Sequence, residues 1–117
     1  MAESILKEKS YSFALLVIQG YKIIVKEEKE FVISKQILRS GTAIGALIRE
    51  AEFAESKKDF VHKMSIALKE ANETIYWLDL LKDSEYIDLS LHGNLKNACK
   101  ELIAMLVSSV KTAKSKI

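Results

Sequence analysis

Two groups of basic residues could bind an anionic partner, and they lie far apart in the 117-residue chain. The first group includes a histidine and the second lies near the chain end: Lys57, Lys58, His62 and Lys63; Lys111, Lys114 and Lys116. Ammonium groups neutralise phosphates, so such a patch is typical of a nucleic-acid contact. The alternative is a solvated helix end whose lysines complement the helix dipole. The last run lacks arginine and interleaved aromatic residues, which favours that alternative.

Four further charged residues could pair between helices: Arg39, Glu50, Glu70 and Glu73. Arg39 interrupts a small, apolar surface, and Glu50 follows it by about three helical turns, so the two share a helix face. We expect a buried or half-buried ion pair in which the guanidinium binds Glu70 or Glu73. An Arg39→Ala substitution should then destabilise the fold by several kcal/mol. The alternative is an arginine that contacts phosphate.

No catalytic or metal-binding pattern occurs in the sequence. His62 and His92 are thirty residues apart, and neither has a second ligand at metal spacing. His92 is expected to be solvated, and His62 to belong to the basic patch. The chain has no HExxH motif, glycine-rich phosphate loop or nucleophile elbow. We therefore expect neither cofactor nor metal, and a binding or assembly role instead of an enzyme.

The cysteine content and the hydrophobic pattern indicate the cellular compartment. A single cysteine, Cys99, excludes an internal disulfide, fits a reducing cytosol and is best explained as a small core residue. The N-terminal residues show no signal pattern, and the longest apolar run is far shorter than the roughly 20 residues that span a bilayer. We expect a soluble cytoplasmic protein without a membrane contact.

The hydrophobic pattern predicts an all-α fold. Proline is absent and 49% of the residues are hydrophobic, which favours long helices and short turns. Four amphipathic segments follow one another, and short turns make neighbouring helices antiparallel. The prediction is one domain, residues 1–117, folded as an up-down-up-down four-helix bundle. In that arrangement the start of the third helix and the end of the fourth lie together, which brings both basic groups to one end.

The second segment, from Gln36 to Ala54, carries the most unusual composition. Gly41 and Gly45 lie inside it, and each costs about 1 kcal/mol relative to alanine, so close approach of another helix is expected. Its predicted buried stripe steps by four and three: Ile37, Gly41, Ile44, Ile48 and Ala51. Ser34 is the expected N-cap of this helix and Ser56 that of the next.

The other segments have their own expected faces. The first, from about Ser4 to Lys26, is apolar nearly all round, which predicts a subunit interface as well as a core face. The third has its core stripe at Phe60, Met64, Ala67, Ala71, Thr74, Leu78 and Leu81. The fourth starts near Asp88 or Ser90 and runs to about Lys114. Its expected stripe is Leu91, Leu95, Ala98, Leu102, Met105 and Ser109, with Leu106 and Val110 flanking it.

Two runs carry a family resemblance: ILRSGTAIGALIREA and DFVHKMSIALKEANETIYWLDLL. The chain resembles the four-helix bundle proteins encoded in intervening sequences of bacterial 23S ribosomal RNA genes, and accessory proteins of diversity-generating retroelements look like the same fold family. The matching residues are Leu38-Arg39-Ser40, Ile44-Gly45-Ala46, Glu50, Phe60, Ile66-Ala67, Glu73 and Trp77-Leu78. Ala43 and Leu47 depart from the family pattern, which usually has serine and asparagine there.

The resemblance implies a homo-oligomer, most simply a pentamer, without catalysis. It also implies a nucleic-acid-binding role, for structured RNA or DNA, and the retroelement relatives work with a reverse transcriptase. Two hypotheses follow for this chain. The first is an RNA-binding homo-oligomer that uses lysine patches repeated around the assembly. The second is a structural or adaptor protein that recruits a protein partner such as a reverse transcriptase.

Overall fold

A computed structural model describes residues 2–117, with side chains from residue 4 onward, and contains four long helices. They are α1 (Ala2–Ile23), α2 (Ile33–Glu52), α3 (Lys57–Asp83) and α4 (Leu89–Lys114). One π-helical turn, Ile24–Glu28, extends α1. No strand occurs in this part of the chain. The all-α prediction is therefore confirmed.

The helices pack as a four-membered bundle that measures 47 × 20 × 20 Å. Helix α1 packs on α2 and α4, and α3 packs on the same two helices from the other side. The α1–α4 seam is the most sparsely packed of the four. The connections at residues 29–32, 53–56 and 84–88 are short compared with the helices, so successive helices run in opposite directions.

Most of the predicted core positions are buried. All five residues of the α2 stripe lie in the core. On α3, the predicted residues from Met64 to Leu81 are buried, but Phe60 is only partly covered and its neighbour Val61 takes its place. The core of these two helices follows directly from their spacing, because a stripe at steps of three and four must face the partner helix.

The sequence predicted the wrong buried face for α4: the helix is rotated about its axis relative to the prediction. Its buried stripe is His92, Leu95, Cys99, Leu102, Leu106 and Val110, so only Leu95 and Leu102 were placed correctly. His92 is not solvated: its Nε2 lies 2.8 Å from the Asp79 carboxylate on α3, which also accepts from Lys96 at 3.0 Å. These polar contacts lie at the start of the helix face that is buried in the core.

Cys99 belongs to this buried face, as expected. Its thiol donates to the carbonyl of Ala71 on α3 over 3.3 Å. Burial raises the pKa of the Cys99 thiol to about 12, because the thiolate would lose its hydration. The side chain is thus an inert small core residue.

The start of α2 also differs from the prediction. Ser34 is not the N-cap, because the helix already begins at Ile33. The carboxylate of Glu30 accepts instead from the backbone N–H groups of Val32, Ile33 and Ser34, at 2.7, 3.0 and 2.7 Å. Burial alone would raise the pKa of Glu30, but these backbone donors outweigh it and the pKa is lowered.

The cap predicted at Ser56 is present, and Asp88, which was predicted only as one of two starting points of α4, caps that helix. The Ser56 hydroxyl accepts from the N–H of Asp59, and the Asp59 carboxylate accepts from the N–H of Glu55, both at 3.1 Å. This reciprocal pair resembles a capping box. At α4, the Asp88 carboxylate accepts from the N–H of Leu91 at 2.8 Å. Each cap supplies acceptors for backbone donors that a helix start leaves without partners.

Close helix approach explains one of the two glycines of α2. A Cβ atom at Gly41 would lie 2.8 and 2.9 Å from the two methyl groups of Val17 on α1. At Gly45 the nearest atoms belong to Ser10 and would lie 3.4–3.6 Å away, which is ordinary contact. Gly41 therefore sets the distance between α1 and α2, whereas an alanine would fit at Gly45.

Candidate nucleic-acid interface

We call the end of the bundle where α3 begins and α4 ends the basic end. Lys57 at the start of α3 and Lys116 just after α4 line the same groove, together with Leu6 of α1. The other end holds the π-helical turn and the 84–88 connection, where Glu27, Glu28, Glu85 and Asp88 surround Lys82. Both basic groups thus lie at one end of the molecule, and carboxylates predominate among the charged residues that line the groove at the other end.

Most basic residues of this end are free to bind an external anion. Exposed side chains occur at six of the seven positions: Lys57, Lys58, His62, Lys111, Lys114 and Lys116. None of the five lysines in that group forms an ion pair with a described residue. By contrast, Lys7 on α1 pairs with Glu52 at 3.1 Å. An unpaired ammonium group can exchange its solvent counterion for a phosphate.

Lys63 has a different environment from the others. Its side chain is half-buried, and its ammonium group lies 3.6 Å from Asp59 and 3.9 Å from Glu50. These carboxylates compensate its charge: Asp59 lies on the same helix, and Glu50 lies on α2. Lys63 thus contributes less to the potential of the basic end than the six exposed residues do.

Sequence reasoning missed an exposed aromatic residue at this end. Phe53 lies in the connection between α2 and α3 and is 82% exposed. An exposed phenyl ring beside lysines can stack on an unpaired base. Its position in the sequence was the available signal. Phe53 lies between Ala51, the end of the α2 stripe, and the Ser56 cap, so it belongs to neither buried helix face.

The structure brings Arg39 together with two of the three glutamates. Its Nη1 donates to Glu70 over 3.1 Å, its Nη2 donates to Glu73, and its Nε donates to Gln36. Its side chain remains 49% exposed, at the solvent side of the α2–α3 seam. Glu50 is not part of this network, since it lies near Lys63. Because all three guanidinium nitrogens have partners within the chain, little of Arg39 remains for a phosphate.

Neighbouring groups complete this polar network. The Trp77 indole N–H donates to Glu73 over 2.8 Å, and this bond, followed by the contact with Arg39, lowers the pKa of Glu73 although burial opposes it. Deeper in the seam, the hydroxyls of Thr74 and Ser40 lie 2.9 Å apart in a hydrogen bond that the sequence did not predict. The α2–α3 seam therefore has a polar edge above a buried polar pair.

Helix α1 presents apolar side chains to solvent. Five large ones are between 41% and 57% exposed: Ile5, Tyr11, Leu15, Leu16 and Ile23. They lie outside the core face that contains Phe13 and Val17, with Tyr11 and Leu15 opposite it. A helix with apolar residues on both faces has more hydrophobic surface than one bundle core can cover.

The described residues contain neither a metal-binding cluster nor a membrane-spanning helix. No group of three or more histidine, cysteine, aspartate and glutamate side chains there could hold a metal ion. Within the same part of the chain, no helix is both long and apolar enough to cross a membrane.

Comparison with known proteins identifies relatives of the chain. A model of the family described as 23S rRNA-intervening sequence protein matches residues 2–108. A solved structure from Bacteroides thetaiotaomicron VPI-5482, described as a protein with unknown function from the S23 ribosomal protein family, is similar over 95% of this chain and 99% of its own. It shares 52% sequence identity, with a TM-score of 0.93. No match was found among curated proteins. The chain therefore belongs to the 23S rRNA-intervening sequence protein family.

Proposed function

We propose that the protein is a non-enzymatic, homo-oligomeric RNA-binding bundle that contacts phosphates through its basic end. The observation that carries this proposal is the convergence of five exposed lysines without ion partners, from two helices, at one end of the bundle. The family description names an intervening sequence of 23S rRNA, and structured RNA is therefore the nucleic acid that we favour over DNA. No cofactor takes part, and we place the protein in the cytoplasm.

Phosphate and base contacts have separate roles in this proposal. The exposed lysines and His62 neutralise the backbone, which positions the RNA without reading its sequence. Phe53 stacks on an unpaired base in a loop or bulge. This division gives the exposed phenyl ring of Phe53 a role. The ring is not buried, so it adds little to the stability of the bundle itself.

Self-association would multiply these contacts. The exposed apolar side chains of α1 support a subunit interface, and we propose a pentamer on the basis of the family resemblance. A ring of copies repeats the basic end, and linked weak contacts with one RNA raise its overall affinity.

Salt-dependent binding tests the role of the lysines. Anisotropy of a labelled RNA hairpin should fall steeply between about 50 and 200 mM salt, because bound phosphates release counterions. A combined Lys58→Gln, Lys111→Gln and Lys114→Gln variant should flatten that salt dependence. The matched control replaces three exposed lysines away from the basic end, Lys22, Lys26 and Lys35, with glutamine. No binding by the unmodified protein at low salt, or equal losses in both variants, would refute the proposal.

A Phe53→Ala substitution tests the stacking contact. We expect a loss of about 1–3 kcal/mol in affinity for a hairpin with a single-stranded loop, with the salt dependence unchanged. Phe31→Ala is the matched control, because Phe31 is a half-exposed phenylalanine in the 29–32 connection at the other end. Equal effects of the two substitutions would exclude a specific base contact by Phe53.

Light scattering tests the assembly. The unmodified protein should be larger than a monomer at micromolar concentration, and Leu15→Glu together with Ile23→Glu should reduce its mass while helix content stays constant. A monomeric unmodified protein would show that the apolar face of α1 does not join subunits.

A protein-recruiting adaptor, for example for a reverse transcriptase, is the second candidate function. An apolar groove beside the basic end, lined by Leu6, Phe60 and the last turns of α4, favours it. Salt separates the two functions, because an apolar protein contact loses much less affinity between low and physiological salt than phosphate binding does.

A further inference from the structure

An apolar groove of about 630 Å³ lies between the N-terminal part of α1 and the last turns of α4. Leu6 of α1 and Phe60 of α3 lie on its sides. The α4 side consists mainly of small residues: Ala104, Met105, Ser108, Ser109, Thr112 and Ala113. Ala104 and Ser108 are exposed, so the described part of the chain leaves this side uncovered.

The dimensions of the groove fit one face of a helix. From Ala104 to Lys116, α4 and the residues after it extend about 18 Å at 1.5 Å per residue, which is more than three helical turns. Ala104, Ser108 and Thr112 are spaced by four, so they form one row on α4. Their small side chains leave a depression into which larger side chains of another helix could pack at a short interaxial distance.

The charges of the groove are confined to one end. Lys57 and Lys116 lie at its outer end, both exposed and without an ion pair among the described residues. Among the residues whose side chains the structure describes, no carboxylate lines the groove, and none of the lining residues from Ala104 to Ala113 is a cation. A nucleic-acid strand would need cations along its whole length, because every nucleotide carries a phosphate. A peptide with carboxylates at one end and apolar side chains along one face matches this pattern better.

We propose that the groove binds an amphipathic helix of a protein partner, with carboxylates at the end that meets Lys57 and Lys116. The binding mode is a helix in a groove, with large apolar anchors at spacings of four and three. Electrostatic attraction at the rim orients the helix, and the apolar floor supplies most of the affinity. This interaction does not depend on RNA binding.

The probe is a synthetic helical peptide of about 14 residues, slightly longer than the groove, with leucines at spacings of four and three and glutamates at one end. Binding to the full chain is followed by NMR of methionine methyl groups labelled with carbon-13. The Met105 methyl lines the groove and should shift, whereas the Met64 methyl, buried in the core, is the internal reference. A control peptide keeps the leucines and replaces every glutamate with lysine.

Two pairs of variants locate the contact. Ser108→Trp fills the groove and should abolish the Met105 shift, whereas Asn97→Trp, at an exposed position outside the groove on the same helix, should leave it unchanged. Lys57→Glu with Lys116→Glu should weaken the acidic peptide about tenfold, as expected for reversed rim charges. Lys100→Glu with Lys22→Glu, at exposed positions outside the groove, is the matched control.

Three outcomes would overturn the proposal. The first is no Met105 shift at millimolar acidic peptide, and the second is equal affinity for the acidic and basic peptides. The third is a lower oligomeric mass of Ser108→Trp without peptide, which would identify a second copy of this chain as the occupant. RNA affinity of Ser108→Trp should equal that of the unmodified protein, so that failure of the groove proposal and failure of RNA binding can be distinguished.

Discussion

Helix α1 forms two seams, and small residues lie opposite it in both, but only one of the seams is closed. Toward α2, Gly41 admits the methyl groups of Val17 so closely that a Cβ atom would lie within 3 Å of them. Toward α4, the small row at Ala104, Ser108 and Thr112 borders an open groove. The same kind of composition therefore gives tight packing in one seam and a possible binding surface in the other.

The difference comes from what lies opposite the small residues. In the closed seam, the branched side chain of Val17 fills the space above Gly41, and its stiff Cβ leaves little freedom to move aside. In the open seam, Leu6 lines the groove but is itself buried and does not fill it. Small residues permit close approach, but the neighbouring helix must supply a side chain that uses it.

The largest expected effect on stability concerns the connection between α1 and α2, the two helices of the closed seam. Glu30→Ala removes the acceptor for three backbone N–H groups at the start of α2, so we expect a loss of about 2 kcal/mol in unfolding free energy. Chemical denaturation at neutral pH measures it. Ser56→Ala is the comparison, because that cap accepts from one backbone N–H and should cost about 1 kcal/mol.

The same carboxylate gives a pH dependence. Because the pKa of Glu30 is lowered in the folded protein, its stabilising contribution is present above the unfolded pKa of about 4.3 and is lost as the pH falls through the folded pKa. The difference in stability between the unmodified protein and Glu30→Gln should therefore shrink under acidic conditions. A difference that stays constant with pH would show that the charge of Glu30 does not contribute.

Gly41→Ala tests the closed seam directly. Overpacking against Val17 should cost about 1–3 kcal/mol, partly offset by about 1 kcal/mol from the better helix propensity of alanine. Thermal unfolding should show a net loss. Gly93→Ala is the control, because nothing lies within 4 Å of a Cβ atom there, and it should stabilise the protein. A gain in stability for Gly41→Ala would mean that α1 and α2 can separate without penalty.

Arg39→Ala tests a seam whose outer edge is polar instead of tightly packed. The sequence predicted a loss of several kcal/mol on the assumption of a buried pair. Since the Arg39 side chain is 49% exposed, we now expect about 1 kcal/mol. Denaturation with and without added salt measures it, because salt screens exposed pairs. A loss above about 3 kcal/mol would support the original interpretation of an orphaned buried carboxylate.

Gly45→Ala should have the smallest effect and the opposite sign to Gly41→Ala. The nearest atoms of Ser10 lie at ordinary contact distance, so the gain in helix propensity should dominate, with about 0.5–1 kcal/mol of stabilisation. A rise in melting temperature checks it. A fall would show that the closed seam extends one turn further along α2 than the distances indicate.

Much of the fold could be predicted from spacing. The α2 stripe, most of the α3 stripe, the cap at Ser56 and the start of α4 near Asp88 were all recognised in the sequence. The cap of α2 was missed because it comes from Glu30, four residues before Ser34, and the chain between α1 and α2 brings that carboxylate to the helix start through a left-handed residue, Lys29. The α4 face was predicted one residue off because two stripes of apolar residues lie side by side, and packing against α1 and α3 decides between them.

The candidate site divides in the same way. The two lysine groups and their meeting at one end follow from helix direction, which short turns determine. The exposure of Phe53, the pairing of Lys63 with Glu50 and the half-exposed position of Arg39 depend on where the neighbouring helices lie. Burial is a property of the space between helices, and no single helix contains that information.

Local chain chemistry therefore settled the number of helices, their approximate limits and the helix face that α2 buries. Those features depend on hydrogen bonds and side-chain spacing within a few residues of one another. Packing in three dimensions decided the rotation of α4, the closed seam at Gly41 and the open groove beside α4. These depend on side-chain volumes that meet across seams between residues distant in sequence, so they are defined only once the helices are assembled.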